Sequence, residues 1–435
     1  MQFPLQKLSL AFILVILPTS CSGELCDKYP RFSFPRSHET ICSFGLMLIL
    51  HAPSALSWTY PENKHATLTA FAPQSTQELQ EAVGRCIANS SVGACSKAPD
   101  GPIGDWDVSN VNVMANLFYG QTNFKADLSK WVVSSVTNMH SMFAHAYAFN
   151  GDISKWNVES VANMGFMFEH ATVFNNDISN WVVSSLTGVA YMFSNAVVFN
   201  ADLSKWDVSS ITNMNAFFKE AASFNQDLSK WSVSHVQNMD SMFSRAVAFK
   251  ADISNWDVSS VTNMRWMFHG ARSFSASLSK WNVSSVTNMN ALFHSAISFN
   301  GDISSWNVSS VTDMAQMFQG AIAFNRDISA WEVSKVTSFF KMFQGATSFA
   351  QTLCGPAWFA SQSENMANSQ MFVQSSGDVS ETCPQTTAPA VTDGATAAVT
   401  DAATAAAPAA SNAGDIQINK VLAGIAGVVL SVIIF

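Results

Sequence analysis

Residues 299–324 read Phe-Asn-Gly-Asp-Ile-Ser-Ser-Trp-Asn-Val-Ser-Ser-Val-Thr-Asp-Met-Ala-Gln-Met-Phe-Gln-Gly-Ala-Ile-Ala-Phe, and the same layout recurs along the chain with a step of 25 residues. Tryptophan returns at Trp106, Trp131, Trp156, Trp181, Trp206, Trp231, Trp256, Trp281, Trp306 and Trp331 without slippage. Two phenylalanine series keep step, one from Phe118 through Phe143 to Phe343 and one from Phe124 through Phe149 to Phe349. A fixed period of this length marks stacked units rather than separate domains. A single copy buries too little apolar surface to offset the entropy of ordering itself, so each copy needs a neighbour to complete its core.

Within a copy, Met139, Met142, Phe143 and Ala146 occupy i, i+3, i+4 and i+7. That spacing predicts a short helix, with Thr137 placed to cap it. Asn150 to Asp152 then reads as a turn leading into a short strand through Ile153 and Trp156. The expected fold class is an α/β repeat solenoid, a stack of short parallel strands and short helical turns with disulfide-stapled end caps.

The 435 residues carry a net charge of −9 and only 12% charged residues. Nucleic acid is therefore not an expected partner. All seven cysteines lie outside the periodic region. Pairs of Cys86 with Cys95 and Cys354 with Cys383 would staple the two ends and fit an oxidising compartment, although connectivity is not fixed by sequence alone. Lys7, the apolar run Leu8 to Leu17 and the small residues up to Gly23 have the order of a secretory signal.

At the other end, Ser411 and Asn412 precede a polar spacer and an apolar tail from Val421 to Phe435. The layout is that of a GPI-attachment signal, with Ser411 and Asn412 as attachment residues; a short membrane tail retained as a helix is the other reading. The expected organisation is a signal at 1–23, an N-terminal region and cap at 24–100, and the repeat array of about ten units at 101–353. A C-terminal cap at 354–383, an Ala/Thr/Pro-rich stalk at 384–413 and the lipid-anchor signal or membrane tail at 414–435 follow. A helix is expected over Thr76 to Ala88, with Leu79, Ala82, Val83 and Cys86 on one face.

The repeat resembles that of the BspA-family leucine-rich-repeat surface proteins, also found in mycoplasma surface lipoproteins and expanded in some microalgae. The segments Cys86–Cys95 and Cys354-Gly-Pro-Ala-Trp358 resemble the ends of the algal members. The resemblance implies a leucine-rich-repeat-like solenoid at the cell surface that serves adhesion or recognition, with no catalytic residue to carry over.

The columns of the array carry the remaining readings. Ten indoles are expected in the core, since exposing them would create an apolar patch that soluble surfaces do not tolerate. Asp127, Asp152, Asp177, Asp202, Asp227, Asp252, Asp302 and Asp327 form a carboxylate column. It reads as a series of Asx turns or, alternatively, as a ladder of oxygen ligands for a cation such as calcium. Asn150, Asn175, Asn200, Asn225, Asn300 and Asn325 read as a ladder satisfying turn backbone. Sequons stand at Asn89, Asn282 and Asn307.

No cofactor, metal set or nucleophile motif is visible, so an enzyme is not expected. A ligand face is expected among the variable columns at 130, 132, 140, 144 and 145, with Lys130, Lys155, Lys205, Lys230, Lys280, His140, His145 and His170 as its candidates. The function expected is a cell-surface-tethered adhesion or recognition protein that binds an extracellular glycan or protein, held to the membrane by a lipid anchor or short tail. A wall or coat spacer without a specific ligand is the rival, and a secreted hydrolase the lesser one.

Overall fold

The computed structural model describes residues 70–359 and 370–382, and every element below lies within the compact unit Ala72–Phe435. The unit opens with α1 (Thr76–Asn89). Ser75 accepts a hydrogen bond from the Glu78 N–H, and the Glu78 carboxylate accepts one from the Gln74 N–H, so side chains satisfy the free donors at the helix start. Leu79, Ala82, Val83 and Cys86 form its buried face. The Thr76 hydroxyl donates to the Val113 carbonyl at 3.0 Å, which ties α1 to the first copy. A disulfide joins Cys86 to Cys95, and the Arg85–Asp100 ion pair at 2.8 Å holds the loop that follows.

Each repeat is one rung, built from turns around a filled interior. In the rung of Trp131 the Trp131 N–H donates to Leu128 O, the Val136 N–H to Val133 O and the Phe149 N–H to Ala146 O, closing three corners. Leu128, Trp131, Val133, Val136, Met139, Met142, Phe143, Ala146 and Phe149 all point inward and are no more than 3% exposed. Rung joins rung through single-residue parallel bridges that run unbroken from Val113↔Asn138 to Asp313↔Ser338.

The expected helix at 139–146 is absent, and the reason is the destination of the amide protons. The N–H groups of Met139, Ser141, Phe143 and His145 donate to Asn163, Gly165, Met167 and Glu169 of the next rung, at 2.7–2.9 Å. Only Met142, Ala144 and Ala146 close turns within the rung, each to the third residue back. A helix would send every N–H to its own chain segment and leave nothing to hold the stack. The apolar spacing that suggested a helix serves a chain of turns equally well, because it too returns every third or fourth side chain inward. No strand forms over 153–157 either; the pairing sits at the column of Asn138. Thr137 is not a helix cap, since its hydroxyl donates to Asn112 O in the preceding rung, as Thr187, Thr262, Thr287, Thr312 and Thr337 do in theirs.

The indoles are buried at 2–4% exposure. From Trp131 to Trp331 each Nε1–H donates to the carbonyl of the residue 28 positions earlier, as Trp206 does to Ile178 O at 3.2 Å. Trp106 has no such rung before it and donates to Asp100 O in the N-terminal loop. The column of Asn150 also crosses between rungs, with the Asn200 side-chain oxygen accepting the Asn225 N–H at 2.9 Å.

At the far end the sequence suggests a closing helix and turn; residues 356–359 are helical, and residues 370–382 add a further, incomplete rung. Phe343 and Gly345 donate to Met371 O and Val373 O, and the Phe372 ring stacks on Phe343 at 5.5 Å and 2°. The strands β1 (Thr352–Cys354) and β2 (Asp378–Ser380) pair in parallel to finish it.

Trp206→Phe removes the indole donor and leaves the buried Ile178 carbonyl without it, and is expected to destabilise by about 2–3 kcal/mol. Asn200→Ala strands only a partly buried N–H and is expected to lose about 1 kcal/mol. Urea unfolding followed by tryptophan fluorescence and by circular dichroism checks the order; a larger midpoint shift for Asn200→Ala would contradict the role given to the indoles.

Candidate functional site

Diverting alternate N–H groups to the next rung forces the backbone at two positions per rung into the left-handed region. The column of residue 141 has φ between 52° and 61° in all its members, which are Asn116, Ser141, Phe166, Tyr191, Ala216, Ser241, Trp266, Ala291, Gln316 and Lys341. The column of residue 145 does the same, with glycine at Gly120, Gly270, Gly320 and Gly345 and with His145, His170, Asn195, Glu220, Arg245 and Ser295 elsewhere. A side chain in this conformation costs roughly 1–2 kcal/mol that glycine avoids. No valine, isoleucine or threonine occurs in either column, as the steric clash of a branched Cβ there requires. Where a bulky residue is kept, the fold carries strain that its own neighbours show to be dispensable.

Together with the columns of 140, 144 and 147, these positions form one face, exposed where the side chains are large and covered where they are small, as at Ala144, Ala216 and Ser244, and its chemistry changes along the stack. Near the N-terminal end it is aromatic: Phe166 stacks on Tyr191 at 4.7 Å, His145 on His170 at 4.6 Å, and Tyr147 meets both histidines edge-on. In the middle it is charged. Arg245 reaches Glu220 at 3.5 Å, and the Arg265 guanidinium lies 4.8 Å over the Trp266 ring, whose Nε1–H donates to Asn290 Oδ1. Toward the C-terminal end amides take over, Gln316 donating to Gln319 and Gln319 to Gln344.

Burial, the neighbouring His294 and the cations Arg245 and Lys219 push the His269 imidazole down to about 4. Burial and Arg245 lower His294, and burial with His145 lowers His170. These three imidazoles are uncharged at neutral pH.

Of the candidates read from sequence, His140, His145 and His170 lie on this face. Lys130, Lys155, Lys205, Lys230 and Lys280 form a separate column beside the tryptophan corner. There Lys130 pairs with Asp105 at 2.7 Å, and Lys205 and Lys280 donate to Asn180 and Asn255. Among the described residues no hydrogen bond, ion pair or ring contact joins that column to the histidines. Phe166, Tyr191, Lys219, Arg245 and Trp266 were not among those candidates. The signal that marks two of their columns is the recurrence of Gly, Asn and Ser with no branched residue.

The aspartates make Asx turns, each Oδ1 accepting the N–H two residues on, from Asp127 with Ser129 at 2.8 Å to Asp327 with Ser329 at 2.9 Å. Hydrogen bonds from the serine backbone and hydroxyl hold Asp127, Asp152, Asp177, Asp227, Asp252 and Asp302 below the usual carboxylate range. Asn282 and Asn307 are exposed on the column of residue 132, their Oδ1 atoms accepting from Ser284 and Ser309. Asn89 ends α1 with its Nδ2 donating to Arg85 O. Cys354 is disulfide-bonded, and its expected partner Cys383, like Ser411 and Asn412, lies outside the described residues.

The profile of the family described as "Mycoplasma protein of unknown function, DUF285" matches residues 88–206, 183–281 and 270–381, together more than half of the chain. The chain belongs to the DUF285 family. Each match spans four or so of the 25-residue rungs, so what DUF285 describes is a run of the stack and the array is a tandem series of such runs. No curated protein matches the chain.

Two measurements check the site. Ser295→Gly relieves left-handed strain and is expected to raise stability by about 0.5–1 kcal/mol, while Ser295→Val is expected to lower it by more than about 1 kcal/mol; equal midpoints for the two would remove the strain argument. The pH dependence has a definite sign. A histidine whose folded pKa lies below its ordinary ~6.5 leaves the unfolded chain binding more protons between the two values. Stability is therefore full above about pH 6.5 and declines as pH falls toward the folded value, about 4 for His269. The depressed aspartates add a second loss below about pH 4. Thermal unfolding across pH 3–8 should show both stages, and His269→Gln, which copies Gln319 and Gln344 in the same column, should flatten the first.

Proposed function

We propose that this chain is a cell-surface-tethered recognition or adhesion protein that binds an extracellular glycan or protein on the face formed by the columns of 140, 141, 144, 145 and 147. The observation that carries the reading is the retention of varied, bulky side chains at left-handed positions, in an array whose inward columns barely change. Strain kept against a cheaper alternative present in the same chain points to a use for the side chain. The resemblance of the repeat to that of the BspA-family leucine-rich-repeat proteins supports the same role by analogy.

The surface location rests on the secretory-signal layout, the Cys86–Cys95 disulfide, which suits an oxidising compartment, and the GPI-like terminus. The reading assigns no catalytic step. A serine–histidine contact does occur, Ser244 Oγ to His269 Nδ1 at 3.2 Å, but Ser244 is 1% exposed and the charged groups acting on His269 are all basic. That pair lacks both access for a substrate and the carboxylate that orients a catalytic imidazole.

The test is binding of the full chain to a glycan array and to cell-surface extracts, beside a variant whose face residues are replaced by the alanine, serine or glycine that other rungs carry in the same columns. Saturable binding that the variant loses supports recognition. Silence of the wild type, or equal binding by both, leaves a spacer. Release from intact cells by phosphatidylinositol-specific lipase tests the tether separately.

A further inference from the structure

The middle of the face concentrates positive charge in a chain that is negative overall. Across three successive rungs it carries Lys219, Arg245, Arg265 and Arg272 against Glu220 and Asp240, while the whole protein has a net charge of −9. Among the described residues these cations make one ion pair, Arg245 to Glu220, long at 3.5 Å, with the Arg245 side chain 60% exposed. Beside them stand two imidazoles in contact, His269 and His294, with ring centroids 4.8 Å apart, and a half-buried indole, Trp266, 5.4 Å from His269. The Arg265 guanidinium lies over one face of the Trp266 ring at 4.8 Å, and the column places Ser241 before it and Ala291 after it, so no ring of its own column stacks on the indole. Both Trp266 and Arg245 occupy left-handed backbone, where the same columns elsewhere hold alanine and glycine.

Deepening the recognition reading on which it rests, we infer that Lys219, Arg245, Arg265, Trp266, His269 and His294 form a subsite for an anionic polysaccharide, one whose sugar units carry sulfate or carboxylate groups. Guanidinium forks match such oxyanions in a bidentate manner, and an indole offers a flat apolar surface to a sugar ring beside them. The imidazoles add neutral N–H donors in a desolvated setting whose nearby charges are the cations. A polymer fits the geometry better than a small anion does, because the groups are spread over successive rungs rather than gathered in a closed pocket. The aromatic rungs on one side and the amide rungs on the other carry no comparable excess of cations, so the charge marks where along the face such a chain would be held.

The test uses the full secreted chain on immobilised dextran sulfate, polygalacturonate and uncharged dextran, with polyglutamate as a charged polymer that lacks sugar. The variant Lys219→Ser, Arg245→Gly, Arg265→Ala, Trp266→Ala is built only from residues found at the same columns in other rungs, and its thermal unfolding is measured to show that it folds. Retention of the wild type on either acidic polysaccharide, weakened by salt and reduced at least about tenfold in the variant, is expected. Retention on one acidic polymer and not the other identifies sulfate or carboxylate as the group read. Trp266→Ala alone should reduce retention on the polysaccharides and leave that on polyglutamate unchanged.

Undiminished retention of the folded variant, no retention of the wild type on either acidic polysaccharide, or equal behaviour on polyglutamate overturns the inference. Any of these leaves the wider recognition reading standing whenever the wild type still binds other glycans or cell-surface extracts through the face.

Discussion

The structure depends on where the amide protons of residues such as Met139, Ser141, Phe143 and His145 go. In a rung without regular strands or helices, buried backbone groups have few partners of their own, and an unpaired one costs about as much as a lost hydrogen bond. Sending alternate N–H groups to the next rung's carbonyls meets that demand and at the same time makes every rung a condition for its neighbour. The indole N–H groups repeat the arrangement at the tryptophan corner, reaching 28 residues back. The stack therefore cannot be shortened to one unit, and its ends need special treatment. At one end α1 and the loop that accepts from Trp106 supply it, and at the other the incomplete rung at 370–382.

The same constraint creates the functional surface. Alternating the direction of the N–H groups requires left-handed backbone at the columns of 141 and 145. The side chains carried there lie outside the packing that fixes Trp, Phe, Met and Val, and only the small ones, such as Ala216 and Ala291, are covered. They are free to vary in chemistry but not in branching, which is the pattern the two columns show. Structural demand and functional freedom thus fall on adjacent residues of one short segment: Phe143 belongs to the core column and His145 to the face.

The array itself could be read from the chain, because indole and phenyl columns at an unvarying step admit no other packing. The helix could not be excluded from sequence. Met139, Met142, Phe143 and Ala146 satisfy both a helical stripe and a chain of turns, and only the destination of the N–H groups separates the two. The aspartate column carried two readings for a similar reason: a carboxylate two residues before a serine suits an Asx turn and an oxygen ligand alike, and the Ser129 N–H on Asp127 Oδ1 shows the turn. The last rung was hidden because four extra residues break the period between Phe343 and Phe372. Which of the variable columns share a face could not be read from the sequence, since variability marks every solvent-facing column without saying which of them share a side.

Because each rung contacts only its neighbours, the face is read in segments. A ligand that meets the rings of Phe166 and Tyr191 gains nothing from Gln319 and Gln344, some six rungs away, unless it is long enough to lie along the stack. The order of chemistries, aromatic, then charged, then amide, accordingly favours an extended partner over a compact one. Its contacts would add up along the chain axis, each rung supplying a small and nearly independent share. A compact partner would find too few groups within its reach at any one rung to offset the loss of its own freedom on binding. The left-handed strain of a few kcal/mol spread over Phe166, Tyr191, Arg245 and Trp266 is then tolerable, because the uninterrupted core columns beneath them stabilise every rung whether or not its face is used.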